Sequence, residues 1–389
     1  MWSVTCAALA ALAAQPAGAA LGKATARRLL AGDVCDPDAR LRGSWNLTDT
    51  LVHSDPGYCP RTVETMRRER HGAQYMCGPD HTYRDGSFIW EETPPAASEV
   101  LVQELATTRR PLRVHFVGDS TVQQIFYAFA CELERGGVLN ASSWTSTGEG
   151  YTLVENIEHT HVISTGFTFS RFLRDDLPCP QTCRDAQQPM SGEHNVQTCS
   201  ACDEHGNPRP VSLDTAFRAL AERAGHGDAS ANAHAIFVGV GSWYNYHKGL
   251  YDSDVEYERT LEASRPLFAT LKERGTAVLW YDIPHCGAYC DRAGRPEPAY
   301  EWSGIAAKNA AARRILGPTV QFMNISGSVI PRLAQDRIWP GGGPTDGMPH
   351  YCNPGPSSVP QFVAHATLAL LRCRTCFEKS TVMSRTADG

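Results

Sequence analysis

The spacing of hydrophobic and polar positions changes character near residue 111 of this chain. "LRVHFVG" (112–118) is a β-rich run bounded by glycine. The following "TVQQIFYAFACELERGG" repeats its apolar residues at helical spacing, placing Val122, Ile125, Phe126, Phe129 and Leu133 on one face. "AHAIFVGVG" (233–241) predicts a second buried strand, "TAVLWYD" (276–282) a third and "PTVQFMN" (318–324) a fourth. Helices are predicted over "VEYERTLEASRPLFATLKERG", "EWSGIAAKNAAARRILG" and the closing "VPQFVAHATLALLRC". Strands alternating with helices of this length imply an α/β fold, a parallel sheet covered on both faces. Ligands of such sheets bind outside the carboxyl ends of the strands. Residues 141–211 interrupt the pattern, first with "YTLVENIEHTHVISTGFTF", which reads as a hairpin, then with a cysteine-dense loop.

Upstream, residues 35–100 hold Cys35, Cys59 and Cys77, aromatics and many turn formers, with little helical periodicity. They read as a small disulfide-tied subdomain, joined by "TPPAASEV" (93–100) to a main domain over 111–376 with a cysteine-rich insertion at 175–205. The opening "MWSVTCAALAALAAQPAGAALG" is apolar, broken by Pro16 and ended by small residues. Residues 1–20 therefore read as a signal peptide cut near Ala20, with an uncleaved anchor as the alternative. The apolar core falls short of the ~20 residues needed to span a bilayer, and no later segment is long and apolar enough to do so. Residues 23–34 read as a short basic stem.

The chain has 14 cysteines, and removal of Cys6 with the signal leaves an odd number. Sequons at Asn46, Asn140 and Asn324 mark glycosylation sites. Together these features predict an oxidising compartment of the secretory pathway, the Golgi lumen or the cell exterior. With 389 residues, 42% hydrophobic and 20% charged, the chain can bury a full core. A net charge of −6 gives no reason to expect nucleic acid as a partner.

Candidate chemistry clusters after the predicted strands. "FVGDST" puts Ser120 at a strand-to-helix turn, where it is either a helix N-cap or a nucleophile with its own N–H facing a developing oxyanion. "PTDGMPHYCNPG" (344–355) carries Asp346 and His350 between the fourth strand and the last helix, as an orienting carboxylate and a base would be, or as a solvated turn. "GVGSWYNY" (239–246) offers Asn245 as an oxyanion donor, Gly241 for close backbone approach, and Trp243 to stack on a sugar ring or simply pack. Asp119 joins these on the oxyanion and substrate side. His285, in "WYDIPHCGAYC", is a rival base or a structural residue. Cys179, Cys183, Cys199 and Cys202 form "CPQTC…CSAC", close to a zinc-ribbon spacing, but behind a signal peptide disulfides are the better reading. No metal or other cofactor is expected.

Taken together, these blocks resemble the PC-esterase family, a GDSL/SGNH-like group that includes the trichome birefringence-like polysaccharide O-acetyltransferases. "FVGDSTVQQIFYAFACEL" is similar to that family's GDS block and its helical Cys, here Cys131. "GSWYN", "VLWYDIPHC" and "DGMPHYCNPGPSS" are similar to its later blocks, and residues 35–90 to its cysteine-bearing amino-terminal region. The resemblance implies a three-layer α/β/α sandwich of the SGNH type. It also implies a Ser120 nucleophile, a His350 base and an Asp346 orienter. Here Asp346 and His350 are four residues apart, with Pro349 between them, where the family has three. The implied activity is O-acetyl transfer from a small acetyl donor to a glycan through an acetyl-enzyme. The alternatives are a carbohydrate O-acetyl esterase and a glycan-binding protein without catalysis.

Overall fold

Alternate residues of the central strand β3 (Leu112–Gly118) turn to opposite sides, and both sides are covered: Val114 and Phe116 enter one apolar core, Val117 another. A strand buried on both faces must be apolar nearly throughout, and "LRVHFVG" is so except for Arg113 and the buried His115. The computed structural model describes residues 42–69, 72–78, 83–91, 95–107, 112–139, 142–147, 151–156, 163–169, 234–241, 253–273, 275–283, 302–325 and 351–372.

Strands β6 (Ile163–Phe169), β7 (Ala235–Gly239), β8 (Ala277–Tyr281) and β9 (Gln321–Met323) run parallel with β3 in the order β6-β3-β7-β8-β9. Strands β4 (Ser142–Thr147) and β5 (Tyr151–Asn156) extend the sheet beyond β6 as an antiparallel edge. On one face Phe116, Phe237 and Tyr281 form a stacked row, with centroids 5.1 and 5.4 Å apart. That row shares a core with Phe126 and Phe129 of helix α3 (Ser120–Arg135) and Val363 and Leu370 of the last helix, α6 (359–372). On the other face Ile236, Val238, Val278 and Trp280 pack with Tyr257, Leu261 and Phe268 of α4 (Ser253–Glu273) and with Ile315 and Leu316 of α5 (Trp302–Leu316). The architecture is thus a three-layer α/β/α sandwich, the expected fold class.

The strand order also fixes where a crevice opens. From β3 the chain goes to β6 on one side, then returns to β7 on the other and proceeds outward to β9. The connections therefore diverge at the carboxyl ends of β3 and β7, which is where ligand crevices form in such sheets.

Residues 43–107 attach to this frame. Strands β1 (Gly43–Val52) and β2 (Tyr83–Trp90) form an antiparallel ribbon. Its Trp45, Phe88 and Trp90 rings lie 5.3, 4.3 and 5.3 Å from Phe362 of α6. Helix α1 (Pro60–Arg68) lies against α3, and α2 (Ser98–Ala106) buries Leu101, Val102 and Leu105 in the first core. Cys59–Cys131 ties the entry of α1 to α3, and Cys77–Cys352 ties this region to the segment before α6. Among the described residues, no helix is long and apolar enough to cross a membrane.

Expected and observed elements agree along the parallel sheet. Strand β3 occupies 112–118, and β7, β8 and β9 lie inside their predicted windows. The predicted hairpin is β5–β6. Two corrections stand out. Residues 35–100 contain α1 and the start of α2, which begins inside the supposed joint at Ser98 and turns Leu101, Val102 and Leu105 into the core, while α1 offers only Val63 and Met66 as buried apolar residues. Helix α3 is not one-sided either: from Ser120 to Leu133 it is buried all round, Gln123, Gln124 and Glu132 included.

Candidate functional site

The turn from β3 into α3 is tight because Gly118 has no side chain. A Cβ there would stand 2.1 Å from the Gly239 carbonyl oxygen and 2.6 Å from Val122 Cγ2. Asp119, extended in backbone, is the N-cap: its Oδ1 accepts from the Thr121 N–H at 3.0 Å and the Thr121 hydroxyl at 2.6 Å. The Asp119 N–H donates to the Gly239 carbonyl at 3.3 Å, joining the ends of β3 and β7. Capping therefore falls to Asp119, and Ser120 is the first helical residue. Its N–H belongs to the opening turn, whose donors point out of the helix start. Ser120 is only 6% exposed, so a group reaching it leaves water behind.

Gly241, the other described member of the expected oxyanion side, follows β7 at the same sheet edge with φ +144°. That dihedral favours glycine, and a Cβ there would lie 2.3 Å from Ile283 Cδ1, so the end of that side chain would have to move. Between these turns lies a small cavity edged by Asp119, Val240, Asp282 and Ile325, residues that follow β3, β7, β8 and β9. Its walls also include Gln124 of α3, Tyr351 from the segment before α6, and Val363 of α6. Asp282 is 3% exposed; it accepts from Arg313 Nη2 at 3.0 Å, and that guanidinium lies over the Phe322 ring. Tyr281, beside it, donates to or accepts from the Thr367 hydroxyl at 2.9 Å, and its burial raises the phenol well above its usual range. Asp282 fell inside the third predicted strand, "TAVLWYD", whereas β8 ends at Tyr281 and leaves it at the carboxyl edge of the sheet.

Gln124 of α3, which no motif singles out, has a specific partner. Its Nε2 donates to the Tyr351 carbonyl at 2.8 Å, and its Oε1 accepts the Tyr351 N–H at 3.1 Å. The Gln124 backbone carbonyl accepts from Asn353 Nδ2 at 3.1 Å. Asn353 also donates its N–H to the Tyr75 carbonyl at 2.9 Å, while Ser54 Oγ donates to the Asn353 carbonyl at 2.9 Å. With Cys77–Cys352 between them, residues 351–353 are held from three sides. No motif marks such a clamp; it is visible only when distant segments meet.

Asp346, His350, Asn245, Trp243, His285, Asn140 and the cysteines Cys35, Cys179, Cys183, Cys199 and Cys202 lie outside the described residues. Asn46 is exposed on the outward side of β1, and Asn324 is exposed just past β9. Among the described residues, no group of three or more His, Cys, Asp or Glu side chains gathers to hold a metal ion. No family model matches the chain, and no curated protein matches it. Among solved structures it is similar to a "putative GDSL-like lipase" from Parabacteroides merdae, 14% identical over 69% of this chain and 99% of that one, with a TM-score of 0.30. That likeness is too distant to bear on the chemistry of the site.

Proposed function

We propose that this chain is a serine-dependent acyl-ester enzyme of the secretory pathway that transfers an O-acetyl group to a carbohydrate. One observation carries the proposal: Asp119 caps α3 and Ser120 stands first in it, at the carboxyl end of the central strand beside the topological switch. The motif resemblance supplies its partners, His350 as base and Asp346 as orienter. Disulfides joining positions 72 and 275 residues apart support an oxidising compartment.

In this mechanism Ser120 Oγ attacks the acetyl carbonyl of the donor while His350 takes its proton. The Ser120 N–H and Asn245 hold the oxyanion. Collapse breaks the bond to the donor, whose leaving oxygen takes the proton from His350. A sugar hydroxyl then gives its proton to His350 and attacks the acetyl-Ser120 carbonyl, and Ser120 leaves with that proton restored. Trp243 stacks on the acceptor ring.

The test uses the full chain and a serine-directed fluorophosphonate. Labelling of Ser120, and its loss in Ser120→Ala, is expected. A chain that resists labelling is a binding protein without catalysis. With an acetyl donor and bare glycan, acetylated glycan is the expected product. Free acetate alone would replace transfer by hydrolysis, with water in the place of the sugar.

A further inference from the structure

Strand alternation in the β1–β2 ribbon turns its aromatic residues inward and leaves an asparagine of acceptor sequence on the other side. We infer that Asn46 carries an N-linked oligosaccharide, which lies over the outer face of the ribbon. This rests on the secretory-pathway reading above, since the transfer takes place in that compartment.

Four observations carry it. The triplet Asn46–Leu47–Thr48 lies wholly within the described residues, as neither of the other two sequons does. Register and alternation decide which way its amide faces. Trp45 and Phe88 stand opposite each other and turn inward onto Phe362, so Asn46 and its opposite number Ser87 turn outward. Asn46 is exposed accordingly, as are Ser44, Thr48 and Ser87 on the same face, and these small neighbours leave the amide room. The larger Ile89, on the diagonal at about 7–8 Å, is 54% exposed and gives the first sugar an apolar surface to cover. The triplet is also unpaired when it is made. The Thr48 hydroxyl donates to the Asp85 carbonyl at 3.3 Å in the folded ribbon, but Asp85 comes 37 residues later in the chain. A transferase acting on the growing chain therefore meets Asn46 and Thr48 before β2 exists to pair with them. Finally, Cys59–Cys131 and Cys77–Cys352 are bonds of the same oxidising compartment in which the transfer occurs.

The donor is an oligosaccharide on a polyprenyl pyrophosphate. Asn46 Nδ2 attacks C1 of its first sugar and loses a proton; the Nδ2–C1 bond forms, the C1–O bond breaks, and the pyrophosphate leaves with the electron pair.

The experiment expresses the full chain in animal cells and treats it with peptide:N-glycosidase, which removes the glycan and leaves aspartate where the glycosylated asparagine stood. Peptide mapping reads the Asn46 peptide. Gel mobility in whole-cell extract compares the unsubstituted chain with Asn46→Gln, Thr48→Ala and Thr48→Ser, so a variant retained in the cell still reports. Conversion of Asn46 is expected. One glycosidase-sensitive step in mobility should vanish in Asn46→Gln and Thr48→Ala and persist in Thr48→Ser, because serine also completes the acceptor triplet. An unconverted Asn46 peptide, or a mobility step unchanged in Asn46→Gln, overturns the inference. If another sequon is then converted, or both cysteine pairs are closed, the compartment reading stands and Asn46 alone fails. If no sequon is converted and the four cysteines are free thiols, the compartment reading fails and the inference falls with it.

Discussion

His115 sits in the central strand at 3% exposure, on the opposite side from the Phe116 row. Burial makes the imidazolium costly and lowers its pKa from 6.5 to about 3. The folded chain thus refuses a proton that the unfolded chain accepts between those values. The stability that depends on neutral His115 is complete above about pH 6.5 and is lost as pH falls through that window, on the order of 3–5 kcal/mol at its lower end. Replacing it by His115→Leu should shrink the fall in urea-unfolding free energy between pH 7 and pH 4. An equal fall in both proteins would mean that other groups carry the acid sensitivity. At this scale the sequence was most misleading at polar residues. Gln123, Gln124 and Glu132 lie outside the five apolar positions that periodicity picks out on α3, yet each is buried against a partner from far along the chain. Gln123 accepts from the Tyr75 hydroxyl at 2.7 Å, and Glu132 accepts from Tyr58 at 3.1 Å and from Gln361 at 3.2 Å.

Helix α1 shows how an element can be built by its neighbour. Its nine residues, "PRTVETMRR", bury only Thr62, Val63 and Met66, and its N-cap Cys59 makes no side-chain capping bond. The cap comes instead from α3. Glu134 accepts the Arg61 N–H at 3.0 Å, and through its other oxygen the Thr62 N–H and hydroxyl at 2.9 Å each. This carboxylate satisfies orphan donors and meets the positive end of the helix. Glu134→Ala should cost about 1–2 kcal/mol in urea unfolding and raise amide exchange first in α1. The double variant with Thr62→Ala should lose less than the sum of the single losses, because both act through one contact. Strict additivity would deny the cap. Period alone could not reveal α1, whereas β3, β7, β8 and β9 were legible as β-rich runs ending in turns; β6 was read as half of a hairpin, and only its pairing with β3 puts it in the parallel set. The edge pair β4–β5 lacks that signature in β4, and β4 went unrecognised.

For the whole molecule, the two disulfides do more than brace a small subdomain: each fastens residues 43–107 to the sandwich, one at α3 and one beside α6. Loop-closure entropy assigns about 4 kcal/mol to the 72-residue separation of Cys59–Cys131 and about 5–6 to the 275-residue separation of Cys77–Cys352, as upper values. Thermal melts of the Cys59→Ser/Cys131→Ser and Cys77→Ser/Cys352→Ser pairs should show the larger loss for the second. The reverse order would put local packing ahead of chain entropy. Sequence by itself determined the layering, since runs of period 2 and 3.6 decide which residues face a core. It also determined that Ser120 follows the strand now seen as β3, since a glycine-bounded turn between strand and helix is a local event. Only the tertiary structure decided that Asp119, not Ser120, caps the helix, that Gln124 grips Tyr351, and which cysteines pair. Those outcomes depend on how the backbone closes at one turn, or on contacts between residues up to 275 positions apart, and no local pattern records either.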